Sequence, residues 1–132
     1  VETVKGSCHC GAVAYAARLD LSAQTLRCNC SICTKSRAWI ALVAAADFEL
    51  LSGVETLAEY RFGAGAVAHC FCSRCGIKTH GRLRDDAGEE ALVAVCVSTL
   101  DLTPRRFAQI PIAYADGRKD APERPPEVTA YL

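Results

Sequence analysis

The chain has 132 residues, enough for one hydrophobic core and one domain. Its apolar share of 51% excludes a disordered chain, and no apolar stretch reaches the roughly 18 uncharged residues of a membrane helix. Fifteen basic residues balance fifteen acidic ones, which excludes the basic footprint of a nucleic-acid binder.

Nine cysteines stand against one Trp, four Phe and four Tyr. A core this rich in small side chains gains from metal crosslinks. Eight of the nine fall in three clusters: Cys8-His9-Cys10, Cys28-Asn29-Cys30-Ser31-Ile32-Cys33 and Cys70-Phe71-Cys72-Ser73-Arg74-Cys75-Gly76. The odd count and the C-x-C and C-x-x-C spacings disfavour a disulfide framework, because such pairs are too close for ordinary crosslinks but suit one tetrahedral ion. Val1–Lys5 does not read as a signal peptide, and a reducing cytoplasm suits so many thiolates.

Val1–Lys5 reads as the start of a strand. At Cys8-His9-Cys10 an extended backbone puts both sulfurs on one face, and Gly11 is free to turn beside an ion. Ala12–Leu19 reads as a strand with Val13, Tyr15 and Ala17 on one face, and Asp20–Gln24 as a polar turn. Thr25–Arg27 is a brief strand delivering Cys28 and Cys30 to a common face, and Ser31-Ile32 bends Cys33 back toward them. Thr34–Arg37 reads as a helical turn or a loop. Its Lys35 and Arg37 place two positive charges beside the cluster, a pattern that a plain solvated loop explains as well.

Trp39–Ala45 reads as a buried strand and Phe48–Leu51 as a short one. Thr56–Phe62 alternates, with Tyr60 and Phe62 on one side and Glu59 and Arg61 on the other, the period of a half-buried strand. Gly63-Ala64-Gly65 is a turn, Ala66–Phe71 a strand, and Cys72–Gly76 a zinc knuckle whose partner strand is Ile77–Leu83. The apolar run Ala91–Val97 belongs in a sheet centre, covered on both faces. Ile110–Tyr114 is an edge strand on account of Pro111, and Asp116–Pro126 a polar loop over the surface. The class is mostly β, with antiparallel pairing.

Cys8, Cys10, Cys72 and Cys75 form two short-range pairs that can share one closed, structural zinc and clip the N-terminal strand to the central hairpin. Cys28, Cys30 and Cys33 remain as a triplet with no neighbouring fourth ligand, the three-ligand arrangement of a catalytic zinc. Three thiolates on a dication make a weak Lewis acid that is still suited to holding an incoming thiol as thiolate, which predicts a thiol substrate. Cys70, on one strand face with Cys72, reads first as a small buried apolar residue and second as a competing ligand or redox partner; Cys96 reads as a core residue. His9, His69 and His80 read as surface or hydrogen-bonded histidines.

Gly6-Ser7-Cys8-His9-Cys10-Gly11-Ala12-Val13, Cys28-Asn29-Cys30-Ser31-Ile32-Cys33 and Phe71-Cys72-Ser73-Arg74-Cys75-Gly76 resemble, in order and in separation, the three signature blocks of the glutathione-dependent formaldehyde-activating family, which includes centromere protein V. Leu100-Asp101 resembles the Leu-Asp that follows its late core strand. The likeness spans about residues 5–115, leaving 116–132 as a C-terminal surface segment of a single domain. The resemblance implies a β-tent of zinc-stabilised antiparallel sheets. It implies structural zinc on Cys8, Cys10, Cys72 and Cys75 and catalytic zinc on Cys28, Cys30 and Cys33, the division already reached from spacing. It further implies a carbon–sulfur lyase that reversibly joins glutathione and formaldehyde into S-hydroxymethylglutathione. Its partners are then a small thiol and a small aldehyde. The rival reading, suggested by centromere protein V, is a zinc-held interaction module without turnover.

Overall fold

The computed structural model describes residues 1–132. Twelve elements alternate short strands with two short helices: β1 Glu2–Ser7, β2 Ala14–Leu19, β3 Thr25–Cys28, α1 Ser31–Ser36, β4 Ile40–Ala44, β5 Phe48–Ser52, β6 Leu57–Tyr60, β7 Val67–Cys72, β8 Lys78–Arg84, β9 Glu90–Cys96, α2 Pro104–Phe107 and β10 Ile112–Ala115. They build a three-stranded sheet in the order β1-β2-β5 and a seven-stranded sheet in the order β10-β3-β4-β9-β8-β7-β6. The mostly β class is as expected, and all pairs are antiparallel but one: β10 runs parallel to β3, Ile112 opposite Thr25. Parallel strands need a crossover rather than a hairpin, and the chain between β9 and β10, with α2 in it, is such a connection. No helix is long and apolar enough to cross a membrane.

Alternation places the core. Val13, Tyr15, Ala17 and Leu19 are buried along β2 and its approach, as the two-residue period requires. Tyr15, Ala17 and Leu19 meet Ala41 and Val43 of β4 and Val93, Val95 and Val97 on and just after β9, while Val13 packs with Cys8 and Cys72. Tyr15 stacks on Phe48 at 5.1 Å, and its hydroxyl is satisfied by Thr99 Oγ1 at 2.7 Å. The indole of Trp39 donates to Thr25 Oγ1 at 2.7 Å, and that hydroxyl donates to the carbonyl of Pro111. Three groups from distant segments thereby lock β3, β4 and the entry to β10 together.

Four expectations need adjustment. Cys8–Gly11 is a turn, closed by Gly11 N–H to the Cys8 carbonyl at 3.2 Å, because it joins the antiparallel pair β1–β2. β4 is buried on one side only, with Leu42 48% exposed. β9 is central, but only its second half is covered on both faces; Leu92 pairs near the sheet's open end with Ala44 and Leu83 and is 40% exposed. β6 stops at Tyr60, and Tyr60 and Phe62 do not enter the core. As side chains at the sheet edge they stack on each other, and Phe62 stacks on His69.

Candidate metal centres

The first cluster is built by two hairpins. The β1–β2 turn carries Cys8 and Cys10; the β7–β8 turn carries Cys72 and Cys75. In the second turn Gly76 N–H donates to the Cys72 carbonyl at 2.8 Å, and Gly76 sits at φ +77°, a conformation a side chain would strain. The Cys8–Cys10 and Cys10–Cys72 sulfurs are each 3.7 Å apart, and all four lie within 4.8 Å of one another. Four sulfurs about 2.3 Å from one zinc, at tetrahedral angles, stand about 3.8 Å apart. The donor set therefore fits a closed zinc site.

Backbone amides have already turned toward these sulfurs: Val13 N–H to Cys8 at 3.3 Å and Arg74 N–H to Cys72 at 3.4 Å. The Cys10 and Ile77 amides draw the Cys75 thiol down to about 6. For Cys10 the Ala12 amide pulls downward, but burial and the crowding of Cys72, Cys8 and Cys75 push it up to about 11. Thiols this close cannot all ionise without a cation between them.

The second cluster sits at a strand–helix junction. Cys28 ends β3, Cys30 stands at the position just before α1 with its thiol free of any capping bond, and Cys33 lies in the helix's first turn. The expected bend at Ser31-Ile32 is thus the first turn of a helix that runs on through Lys35 to Ser36. The three sulfurs lie within 4.8 Å of one another, and no fourth His, Cys, Asp or Glu side chain joins them. They are half-buried. Burial opposes ionisation of Cys30, but the Cys33 amide and the neighbouring thiols hold it below the usual thiol range. Burial pushes Cys33 up, joined by the sulfurs of Cys30 and Cys28, while the Lys78 ammonium pulls the other way. The set fits three ligands of a tetrahedral ion, with one direction left to a non-protein ligand.

What holds this triplet was not anticipated. Asn29, between two of the cysteines, is 5% exposed, and its polar atoms reach the end of β10 and the chain after it, the carbonyl also accepting from Thr34 Oγ1 at 3.0 Å. Its Nδ2 donates to Asp116 Oδ1 at 2.9 Å, its Oδ1 accepts from the Arg118 amide at 2.9 Å, and its carbonyl accepts from Arg118 Nε at 3.3 Å. The main-chain Asn29 N–H reaches the Ala115 carbonyl at 3.2 Å. Gly117 closes the clamp: a Cβ there would stand 2.6 Å from Cys28 Sγ and 3.1 Å from Cys30 Cβ. Asp116 is itself buried, so this part of the expected surface loop is packed inside. The one legible signal was an Asn placed where its neighbours bind metal; a buried amide needs partners.

Cys70 and Cys96 are buried and stand outside both clusters, Cys96 with its thiol pushed up to about 11 by burial. His9 is exposed. His80 is wholly buried, 4.4 Å from the Phe48 ring, and burial together with Arg82 and Lys78 lowers it to about 4. Its Nδ1 meets Thr79 Oγ1 at 2.9 Å, while Nε2 has no partner. His69 Nδ1 accepts from the Lys78 ammonium at 2.7 Å, and its ring lies 5.6 Å from that of Phe62.

The family model of the glutathione-dependent formaldehyde-activating enzyme matches residues 3–114. The chain belongs to this family. The match takes in both cysteine clusters but ends before Asp116, Gly117 and Arg118. Among solved structures, the family member is similar to a Rhodobacter sphaeroides protein, a structural-genomics target whose crystal structure shares 35% identity. That likeness covers 83% of this chain and 99% of the other, with a TM-score of 0.68.

Proposed function

We propose that this protein is a zinc-dependent carbon–sulfur lyase acting on a thiol–aldehyde adduct, with glutathione and formaldehyde in reversible exchange with S-hydroxymethylglutathione. The observation that carries the reading is the pair of unequal clusters: four sulfurs that close a coordination sphere, and three that leave one direction open. Cys8, Cys10, Cys72 and Cys75 would hold a structural zinc, and Cys28, Cys30 and Cys33 a catalytic one. The second ion, when bound, supplies the positive charge that keeps an incoming thiol deprotonated near neutral pH.

The chain's own part is to aim and to hold. Cys28, Cys30 and Cys33 fix the open direction, and the Asn29–Asp116–Arg118 clamp keeps their backbone from yielding. In the forward direction a sulfur–carbon bond forms as the carbonyl double bond opens. The oxygen gains one proton and the thiol has lost one, so neither oxidant nor reductant is needed. A groove of about 330 Å³ between Ser31, Ile32 and Lys35 of α1 and the rings of Tyr60 and Phe62 offers an approach beside the triplet. Nine thiols, none in a disulfide, suit a cytoplasmic setting.

The test is exchange-NMR on glutathione and formaldehyde with the zinc-loaded protein. The wild type is expected to speed interconversion of free and adduct forms, and Cys30→Ser to abolish the effect. Zinc-loaded wild type without acceleration would instead favour the interaction-module reading.

A further inference from the structure

A second cleft, of about 290 Å³, lies between the end of α1 and the turn of the first cluster. Ser36, Arg37, Ala38 and Trp39 form one wall, Gly76, Ile77 and Lys78 the facing one, and Cys96, Ser98 and Thr99 line the rest. It contains two cations and no carboxylate. Neither Arg37 nor Lys78 takes part in an ion pair; those of the chain use Arg61, Arg82 and Arg106. The Lys78 ammonium is oriented by His69 Nδ1 at 2.7 Å, an acceptor that steadies it without neutralising it. Two of the three hydroxyls are already engaged, Ser36 with the Ile32 carbonyl and Thr99 with the Cys96 carbonyl, which leaves Ser98.

Arg37 is the more telling of the two cations. It ends α1 in the left-handed conformation, at φ +48°, where glycine is the favoured residue. A long cationic side chain held there is backbone strain of the kind that collects at binding sites. Its position also sets a distance. Arg37 follows Cys33 by four residues, about 6 Å along a helix. A carboxylate one peptide unit beyond a cysteine lies at most roughly 7 Å from it along the chain. Charge balance for three thiolates would by itself require neither a cleft nor a strained arginine.

We propose that this cleft is an anion subsite that takes a carboxylate of the thiol substrate between Arg37 and Lys78, with His69 as a positioning residue. The identity of the ligand rests on the lyase reading; the anion site does not. It would make the protein selective for acidic thiols over neutral ones of the same reactivity.

The probe is S-methylglutathione, whose sulfur has no proton to lose, against its dimethyl ester, titrated calorimetrically into zinc-loaded protein. The acid is expected to bind and the ester to bind at least tenfold more weakly. Arg37→Gln and Lys78→Gln are each expected to weaken the acid by about tenfold to a hundredfold, the range for a hydrogen bond to a charged group. Arg37→Gly separates binding from backbone support: it removes the left-handed strain, so Tm should hold or rise while the acid still binds more weakly. The proposal is overturned if acid and ester bind alike, if the acid does not bind, or if both glutamine variants leave its affinity unchanged. Acid binding as described without thiol–aldehyde turnover would keep the subsite and discard the lyase. Turnover without acid binding would do the reverse.

Discussion

The two cysteine clusters use the same ligand atom and are held by opposite means. The four-sulfur cluster sits on two hairpin turns, with Cys8 and Cys72 buried against Val13, and its ligands arrive from segments more than sixty residues apart. The three-sulfur cluster is local in sequence, half-buried, and steadied from outside by Asn29, which donates to Asp116 and accepts from Arg118. An ion in the first does the work of a crosslink and belongs to folding. An ion in the second adds little to the chain's connectivity, so its surroundings are free to serve positioning. The difference teaches that the count of sulfurs and the parts of the chain an ion would join assign the two roles together.

The largest expected effect falls on the first cluster. Cys75→Ser should remove most of the roughly 10 kcal/mol or more that a structural zinc contributes, leaving no cooperative unfolding transition by circular dichroism. Cys30→Ser should leave that transition in place while dropping zinc from about two per chain to about one, measured by metal analysis. Equal damage from both would erase the distinction between the clusters.

Next is a core effect independent of either ion. His80 is lowered to about 4 in the fold against an ordinary value near 6.5. Its neutral form is the one the fold accepts, so its share of stability is complete above pH 6.5. That share is lost as pH falls toward 4, in all about 3 kcal/mol. His80→Phe removes the partnerless Nε2 and the titration together. The gap in unfolding free energy between variant and wild type should therefore widen in the variant's favour from pH 7 to pH 5. A constant gap would show that His80 is not kept neutral by the fold.

Smaller still, Asn29→Ala should strip Asp116 of its amide partner and cost about 1–3 kcal/mol of stability. It should weaken zinc at the second site by about 10- to 100-fold in chelator competition, as loss of ligand support does, with the first site unaffected. Gly117→Ala should crowd Cys28 Sγ at the cost of about 1–3 kcal/mol and shift the same affinity in the same direction. If either variant loosened the first site instead, the clamp would not be specific to the triplet.

Local pattern made much of this readable. The alternation that buries Val13, Tyr15, Ala17 and Leu19 needs only neighbours two residues away, and cysteine spacing alone sorts the seven cysteines into the two groups that the structure brings together. What stayed hidden depends on contacts across the sheet. Nothing near Asn29 announces Asp116, 87 residues on, and Asp116-Gly117 reads as an ordinary turn until Cys28 is found against it. Tyr60 and Phe62 carry the period of a half-buried strand's inner face, yet β6 lies at the sheet edge, where they stay about half exposed. The parallel return of β10 depends on the path between strands, which periodicity does not describe.

The open direction at Cys28, Cys30 and Cys33 is best tested by X-ray absorption at the zinc edge, on two-zinc protein before and after saturating glutathione. A four-sulfur and a three-sulfur centre together predict an average of about 3.5 sulfurs per zinc, rising to about 4 when the thiol binds. An average already at 4 without thiol, or one that glutathione does not change, would contradict the account.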